Sequence, residues 1–171
     1  GGQRKRLSVL VRADDGQPVL VTKGAFDTVL RVSSEAEVGG TRVPLDDARG
    51  RLDQQFAALS AQGYRVLALA TRTMRGFTEV SNHDESGMTL RGLLAFHDPA
   101  KPGAPDAIRE LAGLGVSVRL VTGDNRLAAR KVAGDVGLRT GEVVVGVDID
   151  AMSDRELAER ARAVDVFAEV E

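Results

Sequence analysis

The chain has 171 residues, 43% hydrophobic but only 4% aromatic, enough to bury an aliphatic core in one medium domain or two small lobes. Lys and Arg number 23 against 25 Asp and Glu, for a formal net charge of -2, so nothing in the charge balance calls for nucleic acid or a membrane surface. The absence of cysteine excludes disulfides and thiolate metal sites, and two histidines leave little for a zinc site; no apolar run approaches the roughly eighteen residues of a spanning helix, and no signal peptide is read.

After Gly1-Gly2, the basic triplet Arg4-Lys5-Arg6 reads as a solvated strand end. Ser8–Ala13 and Pro18–Thr22 flank Asp14-Asp15-Gly16-Gln17, which predicts a hairpin. Lys23-Gly24-Ala25 follows, at the mouth of a predicted strand–helix junction, with Ala25–Val32 as a short helix. A lysine there reaches a bound anion, and a glycine lets a ligand ring approach the backbone. The same tripeptide also reads as a surface lysine beside a turn glycine. Gly39-Gly40 is a turn and Thr41–Leu45 a brief extended segment. Asp46 or Asp47 caps a predicted helix running through Gln62, with Leu52, Phe56 and Leu59 on one face and Gly63 as its stop. Tyr64–Arg72 and Met88–Phe96 are predicted strands, and the polar Met74–Gly87 between them is a candidate mobile loop. Strands alternating with two helices predict an antiparallel α+β lobe.

Two prolines in His97-Asp98-Pro99-Ala100-Lys101-Pro102 mark a stiff connector, and a domain boundary is expected at Asp98, giving 1–97 and 98–171. A βαβ rhythm follows: helix Pro105–Leu114, strand Val116–Val121, helix Asn125–Val136, strand Glu142–Val145, a helix opened by the capping box Ser153/Glu156, and strand Asp165–Ala168. That rhythm predicts a parallel, Rossmann-like sheet. The turn Thr122-Gly123-Asp124-Asn125 closes its central strand, where α/β folds bind ligands. The helix beyond offers N–H groups to a phosphate, Thr122 a hydroxyl, and Asp124 an acceptor for metal-bound water or a ribose. Alone, the tetrapeptide is equally an ordinary loop with an Asp or Asn cap.

Five features occur in one order: RKRLSV (Arg4–Val9), KGA (Lys23–Ala25), YRVLALA (Tyr64–Ala70), DPAK (Asp98–Lys101) and TGDN (Thr122–Asn125). In order and spacing, over essentially the whole chain, they resemble the nucleotide-binding lobe of a P-type cation-transporting ATPase running into its phosphorylation lobe. VPLDD (Val43–Asp47) and GEVVVGVDIDAMSDRELA (Gly141–Ala158) further resemble the magnesium-transporting branch. The resemblance implies an α/β class: an antiparallel α+β nucleotide-binding lobe, then a haloacid-dehalogenase-type parallel lobe, both incomplete. It implies ATP with Mg2+ as cofactors. Lys23 and Gly24 then belong to the nucleotide pocket, Arg65 to the ATP phosphates, Leu67 to the apolar contact and Asp98 to a hinge motif that helps hold the nucleotide. Thr122 is the hydroxyl that binds the phosphoryl group, and Gly123 and Asp124 complete that loop. Phosphoryl transfer draws on such positioned donors and cations more than on covalent help. The implied partners are ATP and the remainder of the pump: further nucleotide-domain strands, the phosphorylation-domain core and membrane helices. The implied location is the cytoplasmic side of an integral protein of the cell membrane.

The sequence also departs from that pattern. Neither the DKTGT motif with its nucleophilic aspartate nor GDGxNDxP occurs in it. The aromatic that stacks on adenine is expected ahead of residue 1, and a family lysine beyond residue 171. Ala100 stands where a second proline is usual. Glu169, in Phe167–Glu171, stands where the pattern FARxxP has arginine, a reversed charge near the expected phosphates. Losing a stack costs about 1–3 kcal/mol and losing an arginine–phosphate bond about 1.5–3 kcal/mol. ATP binding on the order of millimolar, without turnover, is therefore expected. A different class of reading is a non-catalytic interaction module whose unpaired sheet edge recruits a partner. A free-standing phosphatase of the dehalogenase type is disfavoured, because no DxD pair precedes Thr122 and Asp14-Asp15 are adjacent turn residues.

Overall fold

The computed structural model describes residues 5–76 and 81–170; Arg4 of the first motif and Phe77–Val80 of the expected loop lie outside the described residues. The chain divides into two units, one holding the sequence up to Phe56 with Val66–Ala95, the other Ala57–Arg65 with the sequence from Phe96 onward.

The predicted hairpin forms as β1 (Arg6–Arg12) paired antiparallel with β2 (Pro18–Ala25). Strand β2 runs on through Lys23, Gly24 and Ala25, so these residues lie inside a strand and not after it. The reason is pairing on both sides: Gly24 faces Arg6 on β1 and Ala68 on β5 (Tyr64–Thr73), which keeps the backbone extended. Helix α1 is correspondingly short (Phe26–Leu30). The polar run Ser33–Val38 forms β3, which local pattern does not announce. It pairs antiparallel with β4 (Thr41–Pro44) and parallel with β6 (Met88–His97), so the sheet is mixed and not purely antiparallel. The strand order is β1-β2-β5-β6-β3-β4.

One face of this sheet is dry. Leu20, Ala68, Ala70, Met88, Leu90 and Ala36 are buried together with Phe26, Val29 and Leu30 of α1. Helix α2 (Leu45–Ala61) adds Ala48, Leu52 and Phe56, and the Phe56 ring stacks on Phe26 at 4.4 Å. The helix starts at Leu45, so Asp46 and Asp47 lie in its first turn, where carboxylates favour the helix dipole. The described part of Met74–Gly87 is anchored. Met74 is buried and donates its N–H to the Pro18 carbonyl at 2.8 Å. Ser81 and Asp84 form a capping box around a short 3-10 turn. Glu85, 5% exposed, accepts from Arg6 Nε at 2.6 Å and Ser8 Oγ at 2.7 Å.

The second unit carries a three-stranded parallel sheet, β7 (Leu120–Val121), β8 (Val144–Val145) and β9 (Val166–Ala168), in the order β7-β9-β8. Its helices are α3 (Ala104–Gly113), α4 (Arg126–Asp135), α5 (Gly146–Ala151) and α6 (Asp154–Ala163). Strand β7 is far shorter than the apolar run that predicts it: only Leu120 and Val121 pair with β9, and Val116 is exposed. Helix α4 lays Ala129 and Ala133 on Val166 and Ala168. The predicted capping box forms at α6, with Ser153 N–H donating to Glu156 at 2.8 Å. The short α5 ahead of it is an addition to the predicted elements. Among the described residues no helix is long and apolar enough to cross a membrane.

Candidate functional site

Strand alternation turns Leu20 and Thr22 into the core of the first unit and turns Val19, Val21 and Lys23 to its other face. Lys23 lies directly opposite Leu69, so Leu67 and Leu69 of β5 share its face. Leu67 and Leu69 are half-buried and Lys23 is exposed. On β1 the same face shows Leu7, which pairs with Lys23, followed by Val9 and Val11, all exposed. An apolar floor with one ammonium standing on it offers dispersion to a flat ring and a counter-charge to a phosphate.

Gly24 has another structural reason to be glycine. A Cβ there would lie 2.4 Å from the Lys5 carbonyl oxygen and 2.6 Å from Arg6 Cα. The room beside Gly24 is filled by the backbone of β1, so the missing side chain admits the neighbouring strand.

In the second unit, the turn after β7 is tied to itself and to its surroundings. Thr122 Oγ1 donates to Asp124 Oδ2 at 3.2 Å and accepts from the Asp124 N–H at 3.1 Å. Asn125 caps α4: its Oδ1 accepts from Leu127 N–H at 3.0 Å and Ala128 N–H at 3.1 Å. Its Nδ2 donates to Ser60 Oγ, in a fully buried residue near the end of α2, at 3.2 Å. Ala129 N–H donates to the Asn125 carbonyl at 3.0 Å. Arg126 N–H donates to Glu169 Oε1 at 3.1 Å.

That last bond corrects the expectation of open N–H groups at this helix. The N–H groups of Arg126, Leu127, Ala128 and Ala129 all find acceptors within the chain. Local pattern foresees the Asn125 cap but not Glu169, which is 43 positions away and arrives because β9 lies beside β7. The placement also accounts for an acidic residue at 169. A carboxylate beside the first N–H groups of a helix meets the positive end of its dipole. The Glu169 backbone is left-handed, at φ 57°, and its N–H is bound to the Asp124 carbonyl at 2.9 Å. Val170 N–H reaches the Thr122 carbonyl at 3.1 Å, so the segment after β9 backs the whole turn.

Arg65, two residues before Leu67 on β5, has a largely exposed side chain whose Nε stands 3.5 Å from Asp124 Oδ1. Two residues selected from separate motifs thus form one ion pair. Gly123 is exposed in the turn, with the Val170 carbonyl oxygen 3.4 Å from where its Cβ would be. Asp98 is exposed in the connector after β6, whose last residue, His97, sets its ring 5.3 Å from that of Tyr64. Among the described residues no group of three or more His, Cys, Asp or Glu could hold a metal ion unaided.

A family model described as "P-type ATPase, cytoplasmic domain N" matches residues 2–103. The Magnesium-transporting ATPase, P-type 1 of Escherichia coli (strain K12) is 40% identical over 168 residues, covering 97% of this chain and 19% of that protein. The protein of the same name in Salmonella typhimurium (strain LT2) is 38% identical over the same shares. The Calcium-transporting ATPase of Bacillus subtilis (strain 168) is 29% identical over 171 residues, 98% of this chain and 19% of its own length. The chain thus spans 19% of the length of these curated relatives.

Proposed function

The chain belongs to the P-type ATPases, and from that premise we propose that it is the ATP-binding segment of a pump coupling ATP hydrolysis to the transport of a cation, with magnesium as the ion. Residues 1–97 are then part of the nucleotide-binding domain and 98–171 part of the phosphorylation domain, on the cytoplasmic side of the cell membrane. Lys23 supplies an ammonium to the nucleotide and Leu67 the apolar contact for its base. Gly24 keeps the strand beneath them closely packed. Arg65 turns from Asp124 to the phosphates, and Asp98 marks the hinge motif. Thr122 offers its hydroxyl to the phosphoryl group, in a turn completed by Gly123 and Asp124. Mg2+, when bound with the nucleotide, supplies charge neutralisation at the phosphates. Without a DKTGT aspartate of its own, the chain holds nucleotide and leaves turnover to the rest of the pump.

One observation carries this reading: Lys23 pairs with Leu69 and so shares an open apolar face with Leu67. Titration of ATP into isotope-labelled chain tests it. Amide shifts are expected at Lys23, Gly24 and Leu67, with a midpoint on the order of millimolar. Lys23→Ala is expected to weaken binding about tenfold, one charge-assisted hydrogen bond. Micromolar binding untouched by that substitution, or phosphate release by the chain alone, would overturn the reading. The exposed Leu7, Val9 and Val11 on edge strand β1 favour a second reading, an interaction module. Concentration-dependent association in light scattering, without ATP-induced shifts at Lys23, is the result that separates it from the first.

A further inference from the structure

We infer that Ser60 is a positioning residue: through Asn125 it holds the corner between α2 and β5, and with that corner Arg65, against the turn Thr122-Gly123-Asp124-Asn125. The last turn of α2, from Ala57, and the start of β5, as far as Arg65, fall in the second unit together with that turn. Ser60 is fully buried. A hydroxyl taken out of water is costly unless it is bonded, and this one accepts from Asn125 Nδ2 at 3.2 Å. The other end of the same amide is committed to α4, where Oδ1 accepts from the N–H groups of Leu127 and Ala128. An amide gripped at both ends cannot turn without breaking a bond, so Asn125 joins the end of α2 to the start of α4.

The corner itself is short and closed. The Ser60 carbonyl accepts from Gly63 N–H at 2.9 Å, and Gly63, left-handed at φ 88°, turns the chain into β5. A Cβ at Gly63 would lie 3.2 Å from Lys131 Cγ, so α4 comes close beneath it. Two residues on, Arg65 Nε stands 3.5 Å from Asp124 Oδ1. The corner thus meets adjacent residues of one turn at two points, Ser60 on Asn125 and Arg65 on Asp124. The two contacts differ in kind. The ion pair joins side chains 67% and 39% exposed, where water and salt screen it. The Ser60 bond is buried at one end and escapes that screening, so it sets the place of the corner and the ion pair follows. On the reading proposed above, on which this role depends, Arg65 serves the ATP phosphates, and Ser60 sets where its guanidinium meets them.

Ser60→Ala keeps the helix and removes the acceptor. The Arg65 Nε–H resonance of the labelled chain reads the corner without nucleotide, with Asp124→Asn as the unpaired reference. Asp165→Asn, a loss elsewhere in the same unit, controls for lowered stability. In Ser60→Ala the resonance is expected to move toward its position in Asp124→Asn; in Asp165→Asn it should stay in place. The preference for ATP over AMP is expected to fall about threefold in Ser60→Ala, the low end of coupling within one bonded network. In an Arg65→Ala background the same change should leave that preference unaltered. An Arg65 resonance unmoved by Ser60→Ala would overturn the positioning, and so would an equal fall in preference with Arg65 absent. A moved resonance with no response to nucleotide in any of the chains would support the positioning and sink the ATP reading alone.

Discussion

Gly24→Ala separates a structural demand from a ligand-driven one. The added methyl would sit 2.4 Å from the Lys5 carbonyl oxygen and 2.6 Å from Arg6 Cα and Cβ. Carbon atoms pack at about 3.5–4.0 Å, so β1 has to retreat by about 1 Å at this end. The retreat strains the Ala25 N–H to Lys5 carbonyl bond, now 2.8 Å, and the Arg6–Glu85 ion pair at 2.6 Å. Overpacking of this kind costs about 1–3 kcal/mol, and a weakened backbone hydrogen bond adds about 1 kcal/mol. Because β1 is an edge strand with one ladder partner, peeling away its Arg6 end limits the total, which we place at about 2–3 kcal/mol. Urea denaturation gives the global loss. Native-state hydrogen exchange shows where it falls: protection should drop at Leu7 and Ser8, while β9 and α4 keep theirs. A variant within about 0.5 kcal/mol of the parent, with β1 protection intact, would refute the reasoning and return Gly24 to a ligand-facing role.

Asp165 is buried and accepts three bonds from Arg139: Nη2 at 2.6 Å, Nε at 2.8 Å and N–H at 3.1 Å. The hydrogen-bonded Arg139 side chain holds its carboxyl below the usual carboxylate range, against the opposing effect of burial. A folded-state value below the unfolded one contributes stability above about pH 3.9 that is lost as pH falls through the folded value. Asp165→Asn is therefore expected to cost about 2 kcal/mol at pH 7, at the low end because Arg139 is mostly exposed, and to flatten the acid limb of a urea midpoint measured against pH. Asn125→Ala removes the α4 cap and strands the buried Ser60 hydroxyl; a loss of about 2–3 kcal/mol is expected in thermal or urea unfolding, and Asn125→Asp should recover the cap, with its second carboxylate oxygen free to accept from the Ser60 hydroxyl.

What the sequence by itself determined is whatever depends on neighbours a few residues apart. Asp14-Asp15-Gly16-Gln17 between two β-branched runs specifies the β1–β2 hairpin. Ser153 with Glu156 specifies the start of α6, and Asn125 the cap of α4. The ordered motifs sufficed to point to the family, since each is a short string legible without coordinates. Strand alternation even places Lys23 and Leu67 on one face, once the register between their strands is known.

That register, and everything else set by partners distant in the chain, only the tertiary structure decided. Ser33–Val38 is a strand because β4 and β6 flank it, not because its residues prefer extension. Val116 has the composition of a strand, yet β7 begins at Leu120, where pairing with β9 begins. Gly24 looked like an opening for a ligand until β1 filled the space. Glu85 meets Ser8 from 77 positions away, and Glu169 meets Arg126 from 43. A hydrogen bond or a steric limit acts over about 3–4 Å of space, and no local pattern reports which distant residues the fold brings within it.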